Sequence, residues 1–235
     1  MHHCVESRRG GLLVNEDRFL CVPELPLFAV LDGEVRDGHA ADVAIEVLRG
    51  RLDSIAACLS GPPERAAEVL TQVIKQANRV VFEKACMTRW SGIGTTLTCF
   101  VLTHDFLVAA HVGDSRLYCC DDADWQPLTF DHSLLQDTLR TDPEADVESI
   151  RTYHANVITR IVGCSPEIEV DIVHVPRSSL SEALLCTDGF WRPLDPDLVR
   201  APLPKLQGAA LLDWAYRTYE QDGQRDNATS IVVSL

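Results

Sequence analysis

Four short acidic motifs, Asn15-Glu16-Asp17, Asp32-Gly33, Asp188-Gly189 and Asp226-Asn227, each adjoin a run of residues that reads as a buried strand. Carboxylates gathered by folding repel one another, so such a cluster persists only when some are protonated or when cations neutralise it. An all-oxygen donor set favours Mg²⁺, Mn²⁺ or Ca²⁺ over zinc or copper. Taken singly, each motif is also ordinary turn chemistry, because Asp before Gly or Asn suits a tight bend. Four of them beside four strand-like runs point instead to ligands for a pair of divalent ions.

The rest of the chain must supply a core that can bring these motifs together. With 235 residues, 46% of them hydrophobic and 24% charged, it has the make-up of one globular domain spanning 1–235. A formal charge of -14 argues against nucleic acid or an anionic membrane as partner, since both reward clustered Lys and Arg. Nine cysteines, an odd number without C-x-x-C spacing, include Cys99, Cys119 and Cys186 in apolar runs, which suits reduced, packed thiols. His2, His3 and Cys4 read as a frayed end rather than a metal site. No apolar stretch reaches the roughly 20 residues needed to cross a bilayer, and the expected location is the cytoplasm.

Along the chain, 18–22 and 27–31 form two short strands around Pro23 and Pro26, the second ending at Asp32. Ala41, Ile45, Leu48, Leu52, Ile55 and Leu59 recur at helical spacing, which predicts one amphipathic helix over 39–59. A second runs from 64 to about 85. Residues 95–102 and 106–112 make a hairpin, and 117–120 a further strand. The polar stretch 131–156 holds no sustained period, suits a mobile surface segment with short helices, and is a candidate flap beside a site. Strands return at 170–175 and 183–186, a helix over 206–221 is expected to bury Leu211, Trp214, Ala215 and Tyr219, and 229–234 closes the chain as a strand.

The order of motifs, N-E-D-R-F, F-A-V-L-D-G, S-G-I-G-T-T, V-G-D-S-R, L-T-F-D-H-S, I-T-R-I-V-G, L-L-C-T-D-G-F-W and R-D-N-A-T-S-I-V-V, resembles that of the metal-dependent protein serine/threonine phosphatases, the PPM or type 2C family, in its compact bacterial form. The match is collinear from about residue 7 to residue 234 and includes Gln76-Ala77-Asn78-Arg79 in the second helix. The resemblance implies an α+β fold, a four-layer α-β-β-α sandwich of two packed sheets flanked by helices. It implies that Asp32 bridges two metals, that the Gly33 carbonyl with Asp17 or Glu16 binds the second, and that Asp188 with Asp226 holds the first. A water between two Mn²⁺ or Mg²⁺ ions would then attack phosphorus directly. Asn15 and Asn227 either orient these carboxylates or are turn residues.

Three departures stand out. Relatives carry a phosphate-gripping Arg three residues before the Asn of N-E-D, where this chain has Leu12. They continue D-G with a compact G-G-H, where this chain carries extra residues from Glu34 to His39. Many also place an Asp four residues after Asp188, holding a third metal together with Asp114. Here that residue is Arg192, so third-metal binding is expected to be weak or absent. Arg192 or Arg36 becomes the candidate for the missing phosphate contact, because guanidinium matches phosphate with a planar fork of donors. His39 either donates a proton to the departing oxygen or opens the first helix, and His132 reads as structural.

The expected function is therefore hydrolysis of phosphoserine and phosphothreonine in proteins, opposing a Ser/Thr kinase, by a monomer. The alternative is a degenerate member of the same fold that serves as a binding or regulatory module. Retention of all four acidic motifs favours the enzyme, while Leu12 and the altered segment after Gly33 keep the alternative open.

Overall fold

The computed structural model describes residues 1–34, 39–88, 94–121, 124–142, 145, 148–150, 157–195, 203–221, 223 and 225–235. Among the described residues, ten strands form two antiparallel five-stranded sheets. The first orders β1 (His3–Arg8), β10 (Ala228–Ser234), β9 (Glu182–Cys186), β6 (Arg116–Asp121) and β7 (Asp124–Pro127) side by side. The second orders β2 (Arg18–Val22), β3 (Leu27–Leu31), β4 (Leu97–Leu102), β5 (Phe106–Val112) and β8 (Asp171–Pro176).

Strands such as β3, β4 and β9 are buried along their whole length, which explains their continuous apolar runs: both faces are covered. Between the sheets, Phe28, Val30, Phe100 and Leu107 meet Leu117, Leu185, Ile231 and Val233. On the outer face of the second sheet, Leu31, Cys99 and Val112 pack with helices α1 (His39–Arg49), α2 (Leu52–Ala56) and α3 (Pro63–Thr88). On the outer face of the first, Leu184 and Val232 pack with the short α5 (Asp188–Trp191) and with α6 (Gly208–Gln221). The molecule is thus the expected α-β-β-α sandwich.

Several local expectations change. The predicted helix over 39–59 breaks after Arg49, because Gly50 is a poor helix former and Arg51 leaves the helical region at φ -119°, ψ 9°. The amino-terminal segment is not frayed: His3 to Arg8 pair with Val233 to Ala228 and complete the sheet edge. Trp214 is not a core residue. The inward face of α6 is Leu211, Leu212, Ala215, Tyr216 and Tyr219, and Trp214 falls at its margin, 36% exposed. In the stretch 131–156 the expected short helix is present: α4 (Leu134–Thr141) starts at Ser133, whose Oγ accepts the Gln136 N–H. Residues 151–156 lie outside the described residues. Among the described residues no helix is long and apolar enough to cross a membrane.

Candidate metal centre

The acidic motifs sit at one end of the sandwich because each follows or precedes a strand that ends there. Asp17 leads into β2, Asp32 leaves β3, Asp114 leaves β5, Asp188 follows β9 and Asp226 precedes β10. β2 and β3 are antiparallel neighbours with Arg18 opposite Leu31, so Asp17 and Asp32 emerge side by side. β9 and β10 do the same for Asp188 and Asp226.

Side-chain hydroxyls and amides hold these loops in place. The Asp32 N–H donates to Thr96 Oγ1 at 2.9 Å, and its carbonyl accepts from Thr95 Oγ1 at 2.8 Å. Thr187 Oγ1 donates to Asp17 Oδ2 at 2.8 Å and accepts the Thr229 N–H at 2.9 Å, tying the two sheets together behind the carboxylate. Asn15 Oδ1 accepts the Asp17 N–H, and Asn227 Oδ1 accepts the Glu16 N–H at 2.7 Å. The two asparagines thus shape the loops that carry the acids. Gly189 is required by packing, since a Cβ there would lie 1.8 Å from the Asn227 carbonyl oxygen.

The carboxylates feel one another strongly. Burial, followed by repulsion from Asp188 and Asp226, raises Asp17 to about 7. Burial, then Asp17 and Asp188, pushes Asp32 well above the ordinary carboxylate range. Asp114 and Asp226 are raised by burial and by Asp188. Glu34 was not among the sequence-derived candidates, yet it is coupled to the same cluster and raised to about 7. Its residue surface is exposed as a whole, but burial of the carboxyl end comes first among the causes and Asp188 second. The hint in the sequence was its position directly after Asp32-Gly33.

Arg192 enters this basin from the end of α5. Its Nη2 donates to Asp114 Oδ2 at 3.1 Å and its Nε lies 2.8 Å from Asp188 Oδ2. Among the described residues no three carboxylates close into a finished coordination sphere: Asp188 spends one oxygen on Arg192 and shares a hydrogen bond with Asp32. The donors nevertheless suit hard divalent cations. They are all oxygen, and Asp17 Oδ1 and Asp114 Oδ1 are buried without a hydrogen-bond partner among the described residues. Burying such lone pairs unpaired is costly, and a cation removes the cost.

The remaining candidates separate. His39 is exposed at the start of α1. Leu12 is exposed on the loop before Asn15, and Arg36 lies outside the described residues. His132 is structural: its Nδ1 accepts the Gly113 N–H at 3.0 Å, which fixes the turn that delivers Asp114. Behind Asp114, Arg116 is fully buried, bonded to Asp131 and Asp195, with its guanidinium 3.5 Å from the Trp191 ring centroid. Trp191 Nε1 in turn donates to the Asp114 carbonyl at 2.9 Å.

The family model for protein phosphatase 2C matches residues 6–220. The chain is 29% identical over 195 residues to the serine/threonine phosphatase stp of Listeria innocua, covering 80% of this chain and 73% of that one. It is 29% identical over 150 residues to the protein phosphatase PhpP of Streptococcus pneumoniae, covering 62% and 60%. In solved structures, serine/threonine phosphatase Stp1 from Staphylococcus aureus shares the fold with a TM-score of 0.84 at 22% identity, covering 99% of this chain and 94% of that one.

Proposed function

Because the chain belongs to the protein phosphatase 2C family and is a serine/threonine phosphatase, we propose that it hydrolyses phosphoserine and phosphothreonine in proteins, opposing a Ser/Thr kinase, at a dinuclear Mn²⁺ or Mg²⁺ centre. The observation that carries this reading is the convergence of Asp17, Asp32, Asp114 and Asp226, from four separate segments, on Asp188: burial raises all four carboxyls and repulsion from Asp188 raises each of them further.

Asp32, Asp188, Asp226 and Asp17 or Glu16, with the Gly33 carbonyl, are the groups that would hold the two ions, Asp32 being the one that would serve both. When bound, the ions supply an activated water nucleophile at neutral pH and neutralise charge on the phosphoryl oxygens. The chain's own part is to orient its carboxylates. Thr187, Asn15 and Asn227 do this through hydrogen bonds to Asp17 and to the backbone of Glu16 and Asp17. His39, exposed at the start of α1, is the candidate donor of a proton to the leaving serine or threonine oxygen.

Of the two arginines weighed for the phosphate, Arg192 is in the basin, but its pairing with Asp114 and Asp188 favours a role as internal counter-ion. That leaves Asp114 engaged and supports a centre of two ions. The test is turnover of a phosphoserine peptide and of p-nitrophenyl phosphate with Mn²⁺ or Mg²⁺. Both activities should depend on added metal and disappear in Asp32→Ala. Activity that survives Asp32→Ala, or inactivity of the wild type across metals and pH, would refute the proposal.

A further inference from the structure

The loop that leads into the acidic centre carries three consecutive exposed aliphatic side chains, Leu12 at 39%, Leu13 at 93% and Val14 at 47%. Elsewhere among the described residues, exposed large apolar side chains stand singly along the sequence. Isolated ones need no explanation, whereas a contiguous patch marks a contact surface.

This loop is not loose chain. Asn227 Nδ2 donates to the Arg9 carbonyl at 2.7 Å and to the Val14 carbonyl at 3.1 Å, so one amide pins both ends. Gly10, at φ 63°, makes the bend between them, and Arg9 Nη1 reaches the Leu13 carbonyl at 3.5 Å. The same Asn227 accepts the Glu16 N–H, and its neighbour is Asp226. The apolar lip and the loops that carry Glu16, Asp17 and Asp226 are therefore braced by a single side chain, which sets the lip on the rim of the acidic centre. Preorganised apolar surface of this kind binds without an ordering cost.

We infer that Leu13 and Val14 form a docking lip for an aliphatic side chain next to the phosphorylated residue of the substrate, so that this phosphatase prefers phosphoserine and phosphothreonine flanked by Leu, Ile or Val. The inference rests on the proposed phosphatase reaction at the adjoining centre. The occupant is a segment of the substrate protein because the lip is continuous, through residues 14–16, with the site that takes its phosphate.

Two phosphoserine peptides test it, identical except for Leu or Ser on both sides of the phosphoserine, with p-nitrophenyl phosphate as a substrate too small to reach the lip. Wild type should favour the Leu peptide by roughly tenfold in kcat/KM, chiefly through KM, the scale expected of one apolar side chain in an open site. In the double variant Leu13→Ser with Val14→Ser, that preference should fall below about threefold. Turnover of p-nitrophenyl phosphate should keep its wild-type kcat. Equal turnover of the two peptides by wild type, or an undiminished preference in the variant, overturns the lip while leaving the phosphatase reading intact. Wild type inactive on p-nitrophenyl phosphate overturns the phosphatase reading and the lip with it.

Discussion

Arg192 Nε stands 2.8 Å from Asp188 Oδ2, one helical turn earlier in the chain, while its Nη2 bridges to Asp114 at 3.1 Å. A guanidinium wedged between two carboxylates of the proposed metal centre would compete with an incoming cation for the same oxygens. Arg192→Ala should therefore tighten Mn²⁺ binding by roughly tenfold, about 1.4 kcal/mol, measured by calorimetric titration. The KM for a phosphoserine peptide should move by less than about twofold, since lost uniform binding is what would raise it. A large rise in KM with unchanged metal affinity would instead make Arg192 the phosphate ligand.

Gly189 and the Asn227 carbonyl meet so closely that a methyl group has nowhere to go. Gly189→Ala must push the Asp188 and Asp226 loops apart or shift the short helix α5. A clash of this kind costs about 1–3 kcal/mol of stability. Metal affinity should fall with it, because the two acids no longer converge. A melting temperature and a Mn²⁺ dissociation constant both matching wild type would refute this account of the glycine.

The acids were legible because turn chemistry beside fully apolar runs is a local pattern, and so were the strands β2, β3, β4 and β5. β1 was not, because His3 to Arg8 alternate weakly and are stabilised by pairing with β10 more than two hundred residues away. β7, only Asp124 to Pro127, is too short to show a period. Trp214 misled because residue type suggested the core, while the true inward face of α6 is centred on Leu211, Ala215 and Tyr219. Spacing could say that Arg192 replaces an acid. That it clamps Asp188 and Asp114 is a tertiary fact.

Arg116 is the buried cation that supports the centre from behind. It bonds Asp131 through Nε and Nη2, and Asp195 and the Tyr118 hydroxyl through Nη1, with no side-chain exposure. Replacing it by Met keeps much of the volume but strands two buried carboxylates. Breaking such a pair costs about 3–5 kcal/mol. Arg116→Met should thus unfold at far lower denaturant than wild type, and a midpoint shift equivalent to less than about 1 kcal/mol would contradict the predicted role.

His111 makes the stability of the fold depend on pH. Its Nε2 lies 2.9 Å from the Phe130 carbonyl and must carry the proton of the neutral ring, while Nδ1 lies 2.9 Å from Thr98 Oγ1, whose single hydroxyl proton is shared between Nδ1 and the Ser115 carbonyl. Burial, followed by repulsion from His132, whose ring is tilted against it at 4.7 Å, lowers it to about 3, with Asp171 and Arg160 also facing the pair. The unfolded chain binds this proton near pH 6.5 and the folded protein does not, so the contribution is complete above that pH and is lost as pH falls toward 3. Between pH 7 and pH 5 it should cost about 2 kcal/mol of stability. Asp17, raised to about 7, acts with the opposite sign, and His132, also lowered by burial, with the same sign. Both remain in His111→Gln, so comparing the variant with wild type isolates His111. The stability gap between them, from urea unfolding at each pH in the same metal buffer, should narrow by about 2 kcal/mol on going from pH 7 to pH 5. A gap that stays constant would mean that His111 does not titrate between the folded and unfolded states over this range.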